Sequence, residues 1–262
     1  MIRTQNCLYI FCLLSLLTPF LTIAQTGSRE IYELTIYTIK DKQQEEQVDY
    51  FLQNAFIPGL HAVGIQPIGV FKPLETDSTF GKRIFVLIPF RSLDDVIKIT
   101  HKLNTNPTFN EQGKKYLDAV YSNPPYERIE SIILRAFEGM KKMEAPAFNS
   151  ARAERIYELR SYESATERIY QNKVRMFNEG DEISLFKRLG FNAVFYADVI
   201  AGGRMPNLMY MTSFASQTSH DEHWKSFVED PYWKNLSSMP EYQHNISKIN
   251  IYLLRPTPYS DY

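Results

Sequence analysis

The sequence predicts an α+β fold of two βαββαβ units whose antiparallel sheets pack face to face as a barrel within one chain. Three observations lead there. The heptad Ile31-Tyr32-Glu33-Leu34-Thr35-Ile36-Tyr37 returns 125 residues later as Ile156-Tyr157-Glu158-Leu159-Arg160-Ser161-Tyr162, identical at five of seven positions. Val70-Phe71 with Val194-Phe195, Phe90 with Phe214, and Pro107-Thr108-Phe109 with Pro231-Tyr232-Trp233 are each 124 apart, and a near-constant offset across a whole unit argues tandem duplication. Finally, strand-like stretches such as Arg83-Ile84-Phe85-Val86-Leu87-Ile88 and Leu208-Met209-Tyr210-Met211 are apolar at successive positions, so both faces of each sheet must be covered.

The elements follow in the same order in each unit. In the first, the heptad is a strand. Asp41 caps a helix whose apolar positions Val48, Leu52, Ala55 and Phe56 keep helical spacing, Pro58 opens another turn, and Gly64 stops it. Ile65 to Leu74 and Lys82 to Phe90 form a strand pair around the polar turn Glu75-Thr76-Asp77-Ser78. Ser92-Leu93-Asp94-Asp95 resembles a capping box for the second helix, and Ile129 to Phe137 closes the unit. In the second unit Arg168 to Leu189 reads as a broken helix stopped by Gly190. Phe191 to Ile200 and Asn207 to Phe214 flank the turn at Gly202-Gly203, Ser219-His220-Asp221-Glu222 is again a capping-box pattern, and Ile246 to Arg255 closes. A βαββαβ unit folds as the ferredoxin-like sheet with both helices on one face. The bare face of one unit is best covered by the bare face of the other, which makes a homodimer optional. The expected organisation is residues 1–24 a signal peptide, 25–137 the first repeat, 138–154 a linker with no apolar period, and 155–262 the second repeat.

The signal peptide is read from Arg3, the only charge before Arg29, followed by an apolar run from Leu8 to Ile23 and the small-residue site Thr22-Ile23-Ala24. The run falls short of the roughly 20 residues of a membrane-spanning helix, and Pro19 interrupts it. Cleavage after Ala24 gives a secreted or periplasmic product; an uncleaved anchor is the alternative. Both cysteines, Cys7 and Cys12, fall inside this segment, so the exported chain has no disulfide or thiol chemistry. Losing Arg3 takes 29 basic residues to 28 against 30 acidic ones, a charge of −2. With basic residues dispersed among acids, no nucleic-acid partner is expected. A hydrophobic content of 44% excludes disorder.

The chain resembles the NIPSNAP family, whose units belong to the dimeric α/β-barrel superfamily. The resemblance rests on Ile156 to Tyr162, on Leu189-Gly190 before a strand, and on His223-Trp224 through Asp230-Pro231-Tyr232-Trp233. In the first half it rests on Ile31 to Tyr37 and on Pro58-Gly59-Leu60-His61-Ala62-Val63-Gly64 through Phe71, with Thr100 standing where the offset places the partner of Trp224. It implies a fold and a pairing mode and no general reaction. Superfamily relatives include cofactor-free monooxygenases, haem-binding or haem-degrading enzymes and small isomerases, which use a cavity between sheet and helices.

Among residues that could carry chemistry, Glu33 and Glu158 occupy matching strand positions. Alternation puts Glu33 on one face with Tyr37, and Glu158 on one face with Arg160 and Tyr162. As a catalytic set, Glu158 would be a general base with its pKa raised by burial, Arg160 would stabilise negative charge and Tyr162 would orient an oxygen. The plainer reading is a structural carboxylate paired with an arginine. Glu33, Tyr37, His223 and Trp224 are candidate ligand-binding residues, and a site is expected first where Glu158, Arg160 and Tyr162 face the seam between repeats. The set Trp224, Phe227, Tyr232 and Trp233 fits a pocket for a flat ligand or ordinary core. His220 and His223, with His244, have no third ligand fixed by spacing, so no metal site and no cofactor are assigned. No Gly-x-Ser-x-Gly elbow is present, and Asn235-Leu236-Ser237 and Asn245-Ile246-Ser247 match the glycosylation sequon. The leading expectation is an exported protein binding a small molecule between sheet and helices. The alternatives are a cofactor-free monooxygenase- or isomerase-like enzyme acting on a small aromatic compound, and a protein-interaction module.

Overall fold

Alternate residues of a strand face opposite layers, and here both layers are apolar. A computed structural model describes residues 28–262; the expected signal peptide and both cysteines lie outside the described residues. On β1 (Ile31–Thr38), Tyr32, Leu34 and Ile36 belong to one cluster and Ile31 and Tyr37 to another. The first half continues with α1 (Lys42–Phe51), a π-helical stretch Leu52–Phe56 running into α2 (Ile57–Ala62), β2 (Gly69–Pro73), β3 (Arg83–Phe90), α3 (Leu93–Asn104), α4 (Pro107–Leu117) and β4 (Arg128–Ala136). The second half repeats the order with β5 (Ile156–Glu163), α5 (Glu167–Asn178), α6 (Glu182–Arg188), β6 (Asn192–Ala201), β7 (Asn207–Phe214), α7 (Gln217–Glu229), α8 (Pro231–Ser238) and β8 (Lys248–Pro256).

The strands close into one barrel in the order β1-β3-β2-β8-β5-β7-β6-β4, every pair antiparallel. Each half therefore contributes four neighbouring strands, and the expected barrel within one chain is what forms. Inside a half the ladders are long, with Ile31 to Thr38 paired throughout against β3. Between halves they are shorter: β2 meets β8 at Phe71–Pro256, Lys72–Arg255 and Pro73–Leu254, flanked by backbone bonds from Thr257 to Val70 and from Leu74 to Leu253, and β4 meets β6 from Ile133 to Ala136 across a bulge. What joins the halves is chiefly the shared interior, where Phe71, Phe85, Leu134, Tyr157, Phe195 and Met211 are all fully buried. Eight strands leave room for side chains and little else. Every residue of β7 is buried, as continuous hydrophobicity requires of a strand covered on both faces. Outside the barrel each half packs its helices on its own sheet, forming separate apolar clusters.

Local signals act as the sequence suggests at most boundaries. Asp41 caps α1, and Ser92 caps α3 by accepting from the Asp95 amide while its hydroxyl donates to the Asp95 carboxylate. Gly64 and Gly190 stop α2 and α6 at φ of 79° and 80°, a backbone open to glycine. Two details differ. The α7 cap is Ser216, whose side chain accepts from the Ser219 amide, so Ser219 lies inside the helix. The strand expected from Ile65 begins only at Gly69, because Pro67 brings no N–H to a ladder. The segment between the halves is also more than a tether: Lys141 and Glu144 bond to Glu30 and Val194 through the backbone, and Met143 packs on the barrel interior. Among the described residues no helix is long and apolar enough to cross a membrane.

Candidate functional site

Because Tyr157 and Leu159 of β5 point into the barrel, Glu158, Arg160 and Tyr162 point the other way, beneath the helices of the second half. This corrects their expected placement at the seam between the halves. The three are nevertheless brought together. Arg160 donates through Nε to Glu158 at 2.7 Å, with Nη2 also 2.7 Å from the same oxygen, and through Nη1 to the Tyr162 hydroxyl at 3.2 Å. Tyr162 and Tyr210 share a hydrogen bond of 2.8 Å.

Helix α7 closes this cluster from above. The Trp224 indole N–H donates to Glu158, and its ring lies 3.7 Å from the Arg160 guanidinium carbon, a cation–π stack. His220, one turn earlier, places Nε2 3.1 Å from the other Glu158 oxygen and Nδ1 2.7 Å from Asp221. Two carboxylate acceptors fit an imidazolium, which donates from both nitrogens. Glu158 is 1% exposed. Burial pushes its pKa up, but the His220 hydrogen bond and the Arg160 charge outweigh this and hold it below the ordinary carboxylate value. For His220 burial works downward, and the bonds to Glu158 and Asp221 win and raise it. Glu158 is thus a fully engaged carboxylate, the opposite of the raised, proton-seeking base anticipated from burial alone.

A second buried ion pair lies in the same layer and went unnoticed in the sequence. Lys173 of α5 donates to Glu182 of α6 at 2.7 Å, both side chains 3% exposed, with the ammonium 4.6 Å from the Phe177 ring centre. Burial raises the Glu182 pKa against the pull of Lys173. Its signal was available in the offset of 125, which sets Lys173 against Val48, a core residue of the first half.

The first half supplies a control for the whole arrangement. Thr35 pairs with Val86 in β1–β3 as Arg160 pairs with Tyr210 in β5–β7. Val96 and Thr100 stand where His220 and Trp224 do, and Phe56-Ile57 lead into α2 where α6 begins with Glu182. Glu33 and Tyr37 are kept opposite Glu158 and Tyr162; Glu33 accepts from Ser131 at 2.6 Å at a partly exposed position. Tyr37 sits apart from it, receiving the Tyr116 hydroxyl at 3.3 Å with its own pKa pushed up to about 12 by burial. His223 does not join the cluster either: Nδ1 bonds the Ser219 carbonyl at 2.6 Å and the ring packs edge-on against Phe191 and Phe214. Phe227 stacks on Phe186 and Trp233 as core. No group of three or more metal-ligating side chains occurs among the described residues.

A cleft of about 490 Å³ opens beside this layer, between the segment 139–147, α6 and the start of β6. Met140, Ile183 and Phe191 give it apolar walls, Lys187 and Glu144 supply polar groups, and Tyr196 lines it. The Tyr196 ring stacks on Tyr210 at 5.7 Å, so one aromatic thickness separates the cleft from the Tyr210–Tyr162–Arg160–Glu158 chain.

Fold and site together define an α/β barrel of ferredoxin-like halves with a buried polar layer in one half. Residues 157–261, almost the whole second half, match the NIPSNAP family model. No curated protein sequence matches the chain. Solved structures do. A monooxygenase candidate from Lactobacillus acidophilus NCFM superposes with a TM-score of 0.58 at 12% identity, over 87% of this chain and 94% of that one. Another from Fusobacterium nucleatum subsp. nucleatum ATCC 25586 gives 0.56 at 9% over 87% and 93%, and an anthrone oxidase-like protein 0.53 at 9% over 88% and 93%. At such identities the likeness is one of fold.

Proposed function

We propose that the protein is an exported, duplicated NIPSNAP-type barrel that binds a small, flat organic molecule in the cleft lined by Tyr196, Phe191 and Met140. The observation that carries this reading is the confinement of the buried polar layer to one half. Buried ion pairs cost desolvation and are often replaceable by apolar residues without loss of stability. The first half has uncharged residues, Thr35, Val48, Ile57 and Val96, where the second has Arg160, Lys173, Glu182 and His220, so the layer is not a requirement of the fold. A cleft of about 490 Å³ is within the range of small-molecule sites, and its aromatic and apolar lining suits a planar ligand. The matched element order of the halves supports the duplication. The enzyme reading with Glu158 as base draws no support from the geometry, since each of its oxygens is already engaged by Arg160, His220 or Trp224.

A thermal-shift screen of the protein against haem, flavins, quinones and phenolic compounds tests this. A ligand that binds the folded state raises the melting temperature with occupancy. One of these classes is expected to do so, and Ala145→Trp, which fills the cleft from its exposed rim, is expected to abolish the shift. Absence of any shift across the four classes removes the proposal.

A further inference from the structure

A further groove belongs to neither the polar layer nor the cleft beside it. With a volume of about 740 Å³, it lies at the end of the barrel where β8 begins, between the loop 74–82 that joins β2 to β3 and the edge of β8 that β2 does not reach. Its existence follows from the loops. At the other seam the β6–β7 connection is short, and Gly202 sits so close to β4 that a Cβ there would come within 3.2 Å of Ile132. The longer β2–β3 loop stands away from β8 after the bond from Leu74 N to the Leu253 carbonyl, leaving Ile249 and Ile251 exposed at 46% and 45%.

Two arginines from opposite halves of the chain meet in this groove. Arg83 of β3 donates to the Tyr252 hydroxyl at 3.1 Å, and Arg204, from the β6–β7 loop, lines the same space with Tyr252 between them. The Tyr252 hydroxyl beside it also helps hold the Arg204 guanidinium charged, with Glu130 and Glu163 contributing less. Neither arginine forms an ion pair within 4.0 Å among the described residues. The one carboxylate in the lining, Asp77, is turned into its own loop, accepting from the Thr79 amide at 2.7 Å and hydroxyl at 2.6 Å. Glu163 accepts from Asn250 at 2.8 Å. The Tyr252 hydroxyl is thus the hydrogen-bond partner of two guanidinium groups, each shaped to take a carboxylate in bidentate fashion. Arg204 is moreover held at φ of 62°, a left-handed conformation that costs a non-glycine residue free energy and is concentrated at binding sites.

We propose that this groove is a second binding site, for a small organic acid whose carboxylate lies on Arg83 and Arg204 and whose apolar body lies along Ile249 and Ile251. The site exists only in the closed barrel, because Arg83 comes from one half and Arg204, Ile249 and Ile251 from the other. It is independent of the ligand proposed for the second half.

Calorimetric titration of the protein with octanoate, and separately with 1-octanol, tests it. Octanoate is expected to bind saturably and at least about tenfold more tightly than octanol. Arg83→Gln and Arg204→Gly are each expected to weaken octanoate by about tenfold, the size of one charge-assisted contact. Arg204→Gly relieves the left-handed strain, so its melting temperature should equal or exceed that of the parent while its affinity falls, separating binding from folding. Ile249→Ser with Ile251→Ser should weaken octanoate as well. Equal binding of octanol and octanoate, undiminished binding by Arg204→Gly, or no saturable binding of octanoate each overturns the proposal.

Discussion

Arg160 touches Glu158, Tyr162 and the face of Trp224 at once, so its removal strands more than one group. Arg160→Ala leaves a buried carboxylate short of its main counter-charge and should destabilise the protein by about 3–5 kcal/mol, measured by urea unfolding. The triple change Glu158→Leu, Arg160→Met, His220→Val removes the carboxylate together with both of its cationic partners and should recover most of that loss; a triple variant as weak as the single one would show that the charges are not coupled. Titration gives a second expectation. The folded pKa of Glu158 is depressed, so its contribution is present above the ordinary carboxylate value near 4.5 and is lost as pH falls through the folded value. The folded pKa of His220 is raised, so its contribution is full below 6.5 and fades as pH rises through the folded value. Melting temperature should therefore fall on both sides of a mildly acidic plateau, and His220→Gln should flatten the alkaline limb, which a pH series of melting curves would show. Strand alternation made Glu158, Arg160 and Tyr162 legible as neighbours. That His220 and Trp224 complete the set was not legible, because contacts spanning 62 and 66 residues depend on where α7 lands.

Caps and stops decide where the helices begin and end, and they were read with mixed success for a physical reason. Ser92 has Asp95 at the third position, and its hydroxyl both accepts from the Asp95 amide and donates to the Asp95 carboxylate. Before α7 the chain offers Ser216, Thr218 and Ser219 in close succession, and any of these hydroxyls can cap. Ser216 wins because its backbone is extended, at φ of −162° and ψ of 173°, while Ser219 is already helical. Ser216→Ala should cost about 1 kcal/mol and Ser219→Ala clearly less, measured by chemical denaturation; the reverse order would restore the cap to Ser219. The same limit hid Lys173 and Glu182. A lysine in a helix looks solvent-exposed by composition, and only the break at Gly180-Asp181 folds α6 back so that the two meet.

At the scale of the whole molecule the duplicated heptad and the doubly apolar strands foretold a closed barrel, because hydrophobic surface on both faces leaves few other arrangements. How the barrel closes was not foretold, since the seams depend on the few residues of β2, β4, β6 and β8 that reach across. Those seams differ in kind from the ladders within each half. In the β2–β8 seam the bonds run at Val70–Thr257 and Leu74–Leu253 with Lys72–Arg255 between them. In hydrogen exchange the Lys72 and Arg255 amides should lose protection earlier than those of Thr35 and Val86, and equal protection would argue against a weak seam. The consequence is topological. Each half keeps its own strands paired when the seams part, so opening the barrel frees two edges and one apolar face without unravelling either sheet. A second copy in the same state presents the matching edges, and a dimer of this chain would then arise by the two molecules trading halves across their seams.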